Sequence, residues 1–134
     1  MPARASYDYA VIRVVPRVER EEFVNVGVVL SCPSKNFLDA RIHVDAARLR
    51  ALDPALDIDM LERHLASIPL ICRGGTAAGP IGALPPRQRF HWLVAPRSTQ
   101  IQTSQVHTGL CEDDPAGTLE HLLRRMVLPP TGAS

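Results

Sequence analysis

The chain has 134 residues, of which 46% are hydrophobic, so it can bury a core within one domain and is too apolar to be disordered. Its formal net charge of +1 and aromatic content of 4% provide neither a basic field nor a stacking platform for nucleic acid, and no attraction to an anionic membrane. We expect a single domain over residues 1–134, with loose ends at residues 1–6 and 129–134.

The spacing of the cysteines and the composition of the N-terminal residues predict the cellular compartment of the protein. Three cysteines, an odd number without CxxC spacing, lie at positions 32, 72 and 111. This pattern argues against a disulfide framework and for a reducing environment. The first 16 residues lack the apolar core of a signal peptide, and no apolar run approaches the ~18 residues that span a bilayer. We therefore predict a cytoplasmic protein.

Three strands are predicted in the first third of the chain, over residues 7–15, 23–32 and 37–44. Tyr, Val and Ile dominate the first, and turn residues separate the second from the third. The third alternates between apolar and polar residues, which is typical of a half-buried antiparallel strand. The short connections predict a meander or a pair of hairpins.

The second strand is apolar on both faces, which predicts a central position that is covered on both sides. One continuous face is formed by Val24, Val26, Val28 and Leu30. Asn25 is polar within this strand, so its amide either ties down a local loop or strand edge or projects into a site. Gly27 indicates a bulge or a close approach by another backbone.

Two helices follow the strands. Asp45 is a suitable N-cap for a short helix that runs to Leu52. The second helix is predicted over residues 58–70, where Asp59 and Glu62 have the spacing of a capping box. Both helices have an apolar stripe at helical spacing, so each is expected to pack on the sheet.

A loop rich in Gly and Pro and a final helix complete the predicted elements. Residues 73–87 lack the Walker and dinucleotide-binding patterns, which favours a structural loop or a mobile flap beside a site over a phosphate-binding loop. Asp114 and Pro115 are suited to the start of the last helix, and residues 129–130 end it. The buried stripe of this helix is predicted to be Leu119, Leu122, Leu123 and Met126.

Segment 89–109, RFHWLVAPRSTQIQTSQVHTG, concentrates the polar chemistry of the chain. It holds the one tryptophan, Trp92, and two of the five histidines. Residues 92–95 predict a short strand or the end of a helical turn, and residues 99–104 predict a strand that is polar on both faces. Such a strand lies at an edge of the sheet, or one of its faces lines a wet site.

The first candidate site in this segment binds an anion. A guanidinium fork followed by two hydroxyls suits a phosphate or a carboxylate. The residues that would form this site are Arg89, Arg97, Ser98, Thr99 and Gln102. In the alternative interpretation, residues 97–99 form a turn whose hydroxyls satisfy their own backbone.

The second candidate is catalytic. His91 and His107 would meet if they lay on an antiparallel hairpin, and one would then act as base and the other as acid near neutral pH. Alternatively, His91 packs beside Trp92, and His107 caps a turn before Gly109. The spacings of histidine and cysteine match no known metal motif, so we predict no metal and no cofactor.

Three stretches, YDYAVIRVVP, EFVNVGVVL and RFHWLVAPRSTQIQTSQVHTGL, resemble a bacterial family known as domain of unknown function 3037. The resemblance runs from Tyr7 to about Val127 and implies a small cytoplasmic bacterial protein, with no activity attached. It also implies a neighbouring gene for a kinase similar to the toxin kinases of persistence modules. A protein partner or an accessory role would follow from such a neighbour.

Together these observations predict an α+β fold, with an antiparallel sheet of about four to five strands and two to three helices packed on one face. The leading functional hypothesis is a non-enzymatic binding or accessory module that recognises a partner protein or an anionic group through segment 89–109. One alternative is a small phosphoryl-transfer or hydrolytic enzyme that uses His91 and His107. The other is an obligate structural homodimer that pairs through its polar edge strand.

Overall fold

The computed structural model describes residues 4–111 and 114–130. Within them, five strands form one antiparallel sheet, and four α-helices and three 3-10 segments connect or cover it. The strands are β1 (Ala5–Val14), β2 (Val24–Cys32), β3 (Phe37–Ile42), β4 (Ile101–Thr103) and β5 (His107–Cys111). The helices are α1 (Ala46–Leu52), α2 (Ile58–Arg73), α3 (Pro86–Leu93) and α4 (Pro115–Met126). The 3-10 segments are Val18–Arg20, Pro33–Lys35 and Thr76–Ala83.

The predicted α+β class and antiparallel sheet are confirmed. β1 begins at Ala5, inside the end that was expected to be loose, because Ala5 pairs with Cys111 of β5. The other predicted loose residues at 1–3 and 131–134 lie outside the described residues.

The sheet has the order β3–β2–β1, and both β4 and β5 pair with the outer edge of β1. Ile12 pairs with Thr103 and Tyr9 pairs with His107, so three residues between β4 and β5 oppose two residues of β1. The two strands are therefore one edge strand interrupted by a one-residue bulge. Ser104 stabilises the interruption, because its N–H donates to the Val11 carbonyl and its hydroxyl accepts the Val11 N–H.

The helices cover both faces of the sheet instead of the one face that was predicted. α1, α2 and α3 pack on the face that carries Ala10, Ile12 and Val14 of β1. α4 packs on the opposite face, against Val28 and Leu30 of β2. Helices are needed on both faces because the two central strands present apolar side chains to both sides. The described residues form four α-helices instead of the two or three helices predicted, because residues 86–93 form α3.

A bulge in β2 changes which side chains share a face. Ile12 pairs with Gly27 and Arg13 pairs with Asn25, which leaves Val26 as the extra residue. The apolar face that was predicted as continuous is therefore divided, with Val24 and Val26 in one core cluster and Val28 and Leu30 in the other. A Cβ on Gly27 would lie 2.6 Å from the Arg41 carbonyl oxygen. Of the two alternatives predicted at Gly27, the close backbone approach is found there, and a bulge lies at the neighbouring Val26.

Aspartates start three of the helices. The carboxylates of Asp45 and Asp114 accept N–H groups in the first turns of α1 and α4, as predicted. For α2 the predicted capping residue was wrong. Asp57, not Asp59, accepts the Met60 N–H at 3.0 Å, because α2 starts at Ile58 and Asp59 already lies within its first turn.

α2 also continues past Pro69 and three residues beyond its predicted end. Ile71 and Cys72 are buried in the core, and burial of their side chains favours one more turn of helix. Gly74, with a φ of 76°, ends the helix, and its N–H donates to the Leu70 and Ile71 carbonyls. The end of α2 is therefore set by the core and by a left-handed glycine.

Candidate functional site

Arg89 lies in the interior, where it holds the C-terminal end of α2. Its side chain is buried, Nη1 donates to the Ile71 and Cys72 carbonyls, and Nε donates to the Leu84 carbonyl at 2.9 Å. A guanidinium satisfies these carbonyls because the C-terminal end of a helix carries partial negative charge. The Arg89 guanidinium therefore stabilises the fold by binding backbone carbonyls, and it does not face a ligand in solvent.

Arg97 holds the end of α3 in the same way but at the surface. Nη1 donates to the Leu93 carbonyl at 2.9 Å and Nη2 donates to the Trp92 carbonyl at 2.8 Å. Nη1 also lies 3.2 Å from the Ala95 carbonyl. The guanidinium carbon lies 4.7 Å from the centre of the Trp92 ring, which is a cation–π contact. Residues 92–95 therefore form the end of a helix, which was one of the two predicted possibilities.

The hydroxyl and amide side chains after Arg97 bind mainly to their own loop. The Thr99 hydroxyl donates to the Ile101 carbonyl at 3.0 Å, and the Gln102 amide donates to the Thr99 carbonyl at 2.8 Å. Gln100 reaches further and donates to the Pro16 carbonyl. Thr99 thus follows the turn interpretation, whereas Ser98 lies exposed beside Arg97.

A cleft between α2, α3 and β4, here called the Trp92 cleft, lies on one side of this loop. Its volume is about 190 Å³. The apolar walls are formed by Ile68, Ile71, Leu93 and Ile101, and His64, Arg97 and Thr103 are among the polar residues that line it. The Trp92 side chain also lines the cleft and is 42% exposed. Trp92 and Arg97 of segment 89–109 thus meet here.

A second cleft, here called the Arg13 cleft, adjoins the same loop. Its volume is about 390 Å³, and six of the residues that line it are Arg13, Glu21, Phe23, Arg97, Ser98 and Gln102. Sheet register brings Arg13 to this place, because it pairs with Gln102 of β4 on one side and with Asn25 of β2 on the other. Arg97, Ser98 and Gln102 of the predicted anion site therefore lie together, while Arg89 lies elsewhere and Thr99 lines the Trp92 cleft.

Arg13 is the residue of this cleft that the sequence did not single out. Its guanidinium carbon lies 4.0 Å from the centre of the Phe23 ring. Burial lowers the pKa of Arg13, and its Nε–H is buried without a hydrogen-bond partner. The signal in the sequence was a basic residue between the apolar residues Ile12 and Val14 of this strand.

Asn25 holds α4 to the sheet. Its Nδ2 donates to the Met126 carbonyl at 3.1 Å, and its Oδ1 is buried without a partner. Its contact lies 101 residues away along the chain, so it ties a distant helix end instead of a local loop. It neighbours the Arg13 cleft through its pairing with Arg13.

The two histidines lie on opposite faces of the sheet. The His107 ring lies 5.3 Å from the Tyr9 ring, on the face that α4 covers. His91 belongs to α3 on the other face, where it lies near enough to Asp8 to contribute to lowering the pKa of that carboxyl. The predicted hairpin does not form, because residues 86–93 fold as a helix instead of a strand. The arrangement therefore provides no acid–base pair from His91 and His107.

A polar cluster that the sequence did not reveal joins α3 to the sheet near His91. The Arg87 guanidinium donates to Asp8 at 2.5 Å and to the Ser31 hydroxyl at 3.1 Å, and the Thr108 hydroxyl donates to Asp8 at 2.7 Å. Burial by itself raises the pKa of Asp8, but these hydrogen bonds and the charges of Arg87 and His91 bring the pKa below its ordinary value. The Asp8 carboxylate is thus held in its ionised form as a structural clamp.

The cysteine thiols and the possible metal ligands are the remaining groups of interest. Cys32, Cys72 and Cys111 are buried and free. Burial raises the pKa of the Cys72 thiol to about 12, so this thiol is protonated near neutral pH. The described residues contain no group of three or more His, Cys, Asp or Glu side chains that could hold a metal ion. No helix in the described part of the chain is long and apolar enough to cross a membrane.

Comparison with known proteins gives one result. A family model described as a protein of unknown function (DUF3037) matches residues 9–127. Neither the curated proteins nor the solved structures include a match. The matched range contains the whole of both clefts.

Proposed function

The chain belongs to the DUF3037 family of proteins of unknown function, and we propose that it is a non-enzymatic binding module that recognises a partner protein through the Trp92 cleft. The observation that carries this proposal is the position of Trp92. Its side chain is 42% exposed at an apolar cleft, and Arg97 holds its ring in place. Tryptophan and arginine are enriched among the residues that contribute most to protein–protein binding.

The size of the cleft favours a protein over a small molecule. Its volume of about 190 Å³ is smaller than the roughly 300–1,000 Å³ of sites that enclose a small-molecule ligand. A cleft of this size accommodates one apolar side chain of a partner. The flanking polar residues, His64 and Thr103 among them, then provide a rim.

The rigidity of the loop supports the same function. Arg97 is hydrogen-bonded to carbonyls at the end of α3, and Gln100 fixes the loop to Pro16. A side chain that is already ordered loses little entropy on binding. The arrangement of Trp92 and Arg97 is therefore pre-organised for recognition.

The first partner that we propose is the neighbouring toxin-like kinase implied by the family resemblance. An accessory role beside a kinase requires no catalytic group in this chain. This is consistent with the separation of His91 from His107 and with the hydrogen bonds that hold the Asp8 carboxylate.

The single tryptophan allows a direct test. Titration with the purified kinase is expected to change the Trp92 fluorescence in a saturable way and shift it to shorter wavelength as the ring loses water. By calorimetry, Trp92→Ala is expected to weaken binding about 30-fold, equivalent to about 2 kcal/mol. Leu110→Ala is the matched control, because Leu110 is 61% exposed and lies outside the cleft. Equal affinity in wild type and Trp92→Ala would exclude the Trp92 cleft as the binding surface.

A further inference from the structure

We propose that the Arg13 cleft is a second binding site, for an oxyanionic group, either a phosphate or a carboxylate. The site goes beyond the proposed partner surface. The two sites share Arg97 and Gln102, but Trp92 lines only one cleft and Arg13 lines only the other.

The first argument is the unpaired charge of Arg13. Several other arginines have a carboxylate partner within ion-pair distance, namely Arg17, Arg20, Arg41 and Arg87. Arg13 forms no ion pair within the described residues, although it is partly buried on a central strand. Burial of a cation without a counter-charge is unfavourable. Stacking on Phe23 stabilises the guanidinium plane but accepts none of its N–H groups.

The second argument is the set of donors that converge on the cleft. Arg13 contributes a buried Nε–H without an acceptor, and the Ser98 hydroxyl and the Arg97 charge lie along the same cleft. A planar guanidinium with a free edge and a nearby hydroxyl is the arrangement that oxyanions prefer. Arg13 thus provides the guanidinium fork that the sequence predicted at Arg97, whose own N–H groups bind carbonyls of α3.

The third argument is the local backbone. Arg13 pairs with Asn25 directly beside the bulge at Val26. Bulges redirect side chains and are frequent next to functional sites. Because the bulge leaves out Val26, the polar residue Asn25 lies opposite Arg13 in the sheet.

The composition and size of the cleft define the ligand. Two guanidinium groups face one carboxylate, that of Glu21, so the charge of the site favours an anion. The volume of about 390 Å³ lies within the roughly 300–1,000 Å³ of small-molecule sites. The oxyanion is therefore expected to be part of a larger molecule.

Titration of ¹⁵N-labelled protein tests the site, with inorganic phosphate in one arm and acetate in the other, at constant ionic strength. The resonance of the Arg13 Nε–H is expected to shift and saturate, and the arm with the higher affinity identifies the class of oxyanion. Arg13→Gln is expected to weaken binding about tenfold, as for the loss of one charge-assisted hydrogen bond. Glu21→Gln is expected to strengthen it. Arg20→Gln is the control, because Arg20 is an exposed arginine of the adjacent turn that pairs with Glu22.

Three results would overturn the proposal. The first is the absence of a saturable shift with either anion. The second is equal weakening in Arg13→Gln and Arg20→Gln, which would indicate a general charge effect. The third is unchanged affinity in Glu21→Gln, which decides the matter even if Arg13→Gln fails to fold by circular dichroism. Loss of kinase binding in Trp92→Ala bears on the other cleft alone, so the two proposals can fail separately.

Discussion

Three polar side chains each hold the C-terminal end of a different helix. Arg89 donates to carbonyls of α2, Arg97 to carbonyls of α3, and Asn25 to the last carbonyl of α4. The last carbonyls of a helix lack partners within the helix and carry partial negative charge. They attract the same donors that a bound anion attracts. An arginine in a polar segment therefore predicts that some acceptor binds its N–H groups. The sequence alone does not show whether that acceptor is a ligand or the carbonyl end of a helix.

Asp8 provides a prediction at the scale of one residue. Its folded pKa is lowered, so its contribution to stability is complete above its unfolded pKa of about 3.9 and is lost as pH falls through the folded value. Asp8→Asn is expected to lower the free energy of unfolding by about 1 kcal/mol near neutral pH, because the charge-assisted bond from Arg87 is weakened. As pH falls through the lowered folded pKa, the difference from wild type should shrink and then disappear.

Urea denaturation across this pH range measures the effect of Asp8→Asn. Glu62→Gln, which removes an exposed carboxylate from α2, is the control and should change stability little at any pH. A difference between wild type and Asp8→Asn that persists unchanged at the lowest pH would show that the charge of Asp8 is not the cause.

At the scale of the element, the end of α2 depends on Arg89. Arg89→Gln is expected to lower the free energy of unfolding by about 3 kcal/mol, because buried carbonyls of Ile71 and Cys72 lose their charged donor. Chemical denaturation measures this loss. Arg63→Gln, an exposed arginine on the same helix, should change stability by less than about 0.5 kcal/mol. Similar values for the two variants would contradict the capping role.

Elements with a strong pattern were predicted from the sequence, and those without one were not. α1 and α4 have an aspartate cap and an apolar stripe, and both were predicted to within a few residues. α3 was missed because only Arg89, Phe90 and Leu93 are buried in its eight residues, which is too short a stripe to recognise. β5 was missed because four of its five residues are exposed or half-buried at an edge, where packing imposes no alternation.

The candidate site was only partly predictable, because one of its residues is placed by the register between β1 and β4. Arg97, Ser98 and Gln102 are close in sequence, so their proximity was expected and is found. Arg13 reaches them only because β1 pairs with β4, and Gln102 lies opposite Arg13 in that pairing. Pairing between distant strands depends on the whole fold, and no local pattern in β1 indicates it.

At the scale of the whole molecule, unequal lengths explain why the Arg13 cleft is open. The ten residues of β1 span about 33 Å, whereas the 12 residues of α4 span about 18 Å. α4 ends at Met126, whose carbonyl is held by Asn25, and Arg13 lies next to Asn25 in the sheet. The only α-helix on this face of the described structure therefore stops beside Arg13 without covering it.

The two edges of the sheet predict the oligomeric state of the protein. In the described residues, neither edge of the sheet is suited to pairing with a second copy. The outer edge is interrupted by the bulge between β4 and β5, and β3 at the other edge carries the Arg41–Asp39 ion pair. We therefore expect a monomer by sedimentation at micromolar concentration, and the same result for Leu110→Lys. This substitution removes the most exposed large apolar side chain among the described residues. A dimer of the wild type would contradict this expectation and favour the structural homodimer, and its dissociation in Leu110→Lys would locate the interface on β5, because Leu110 lies in that edge strand.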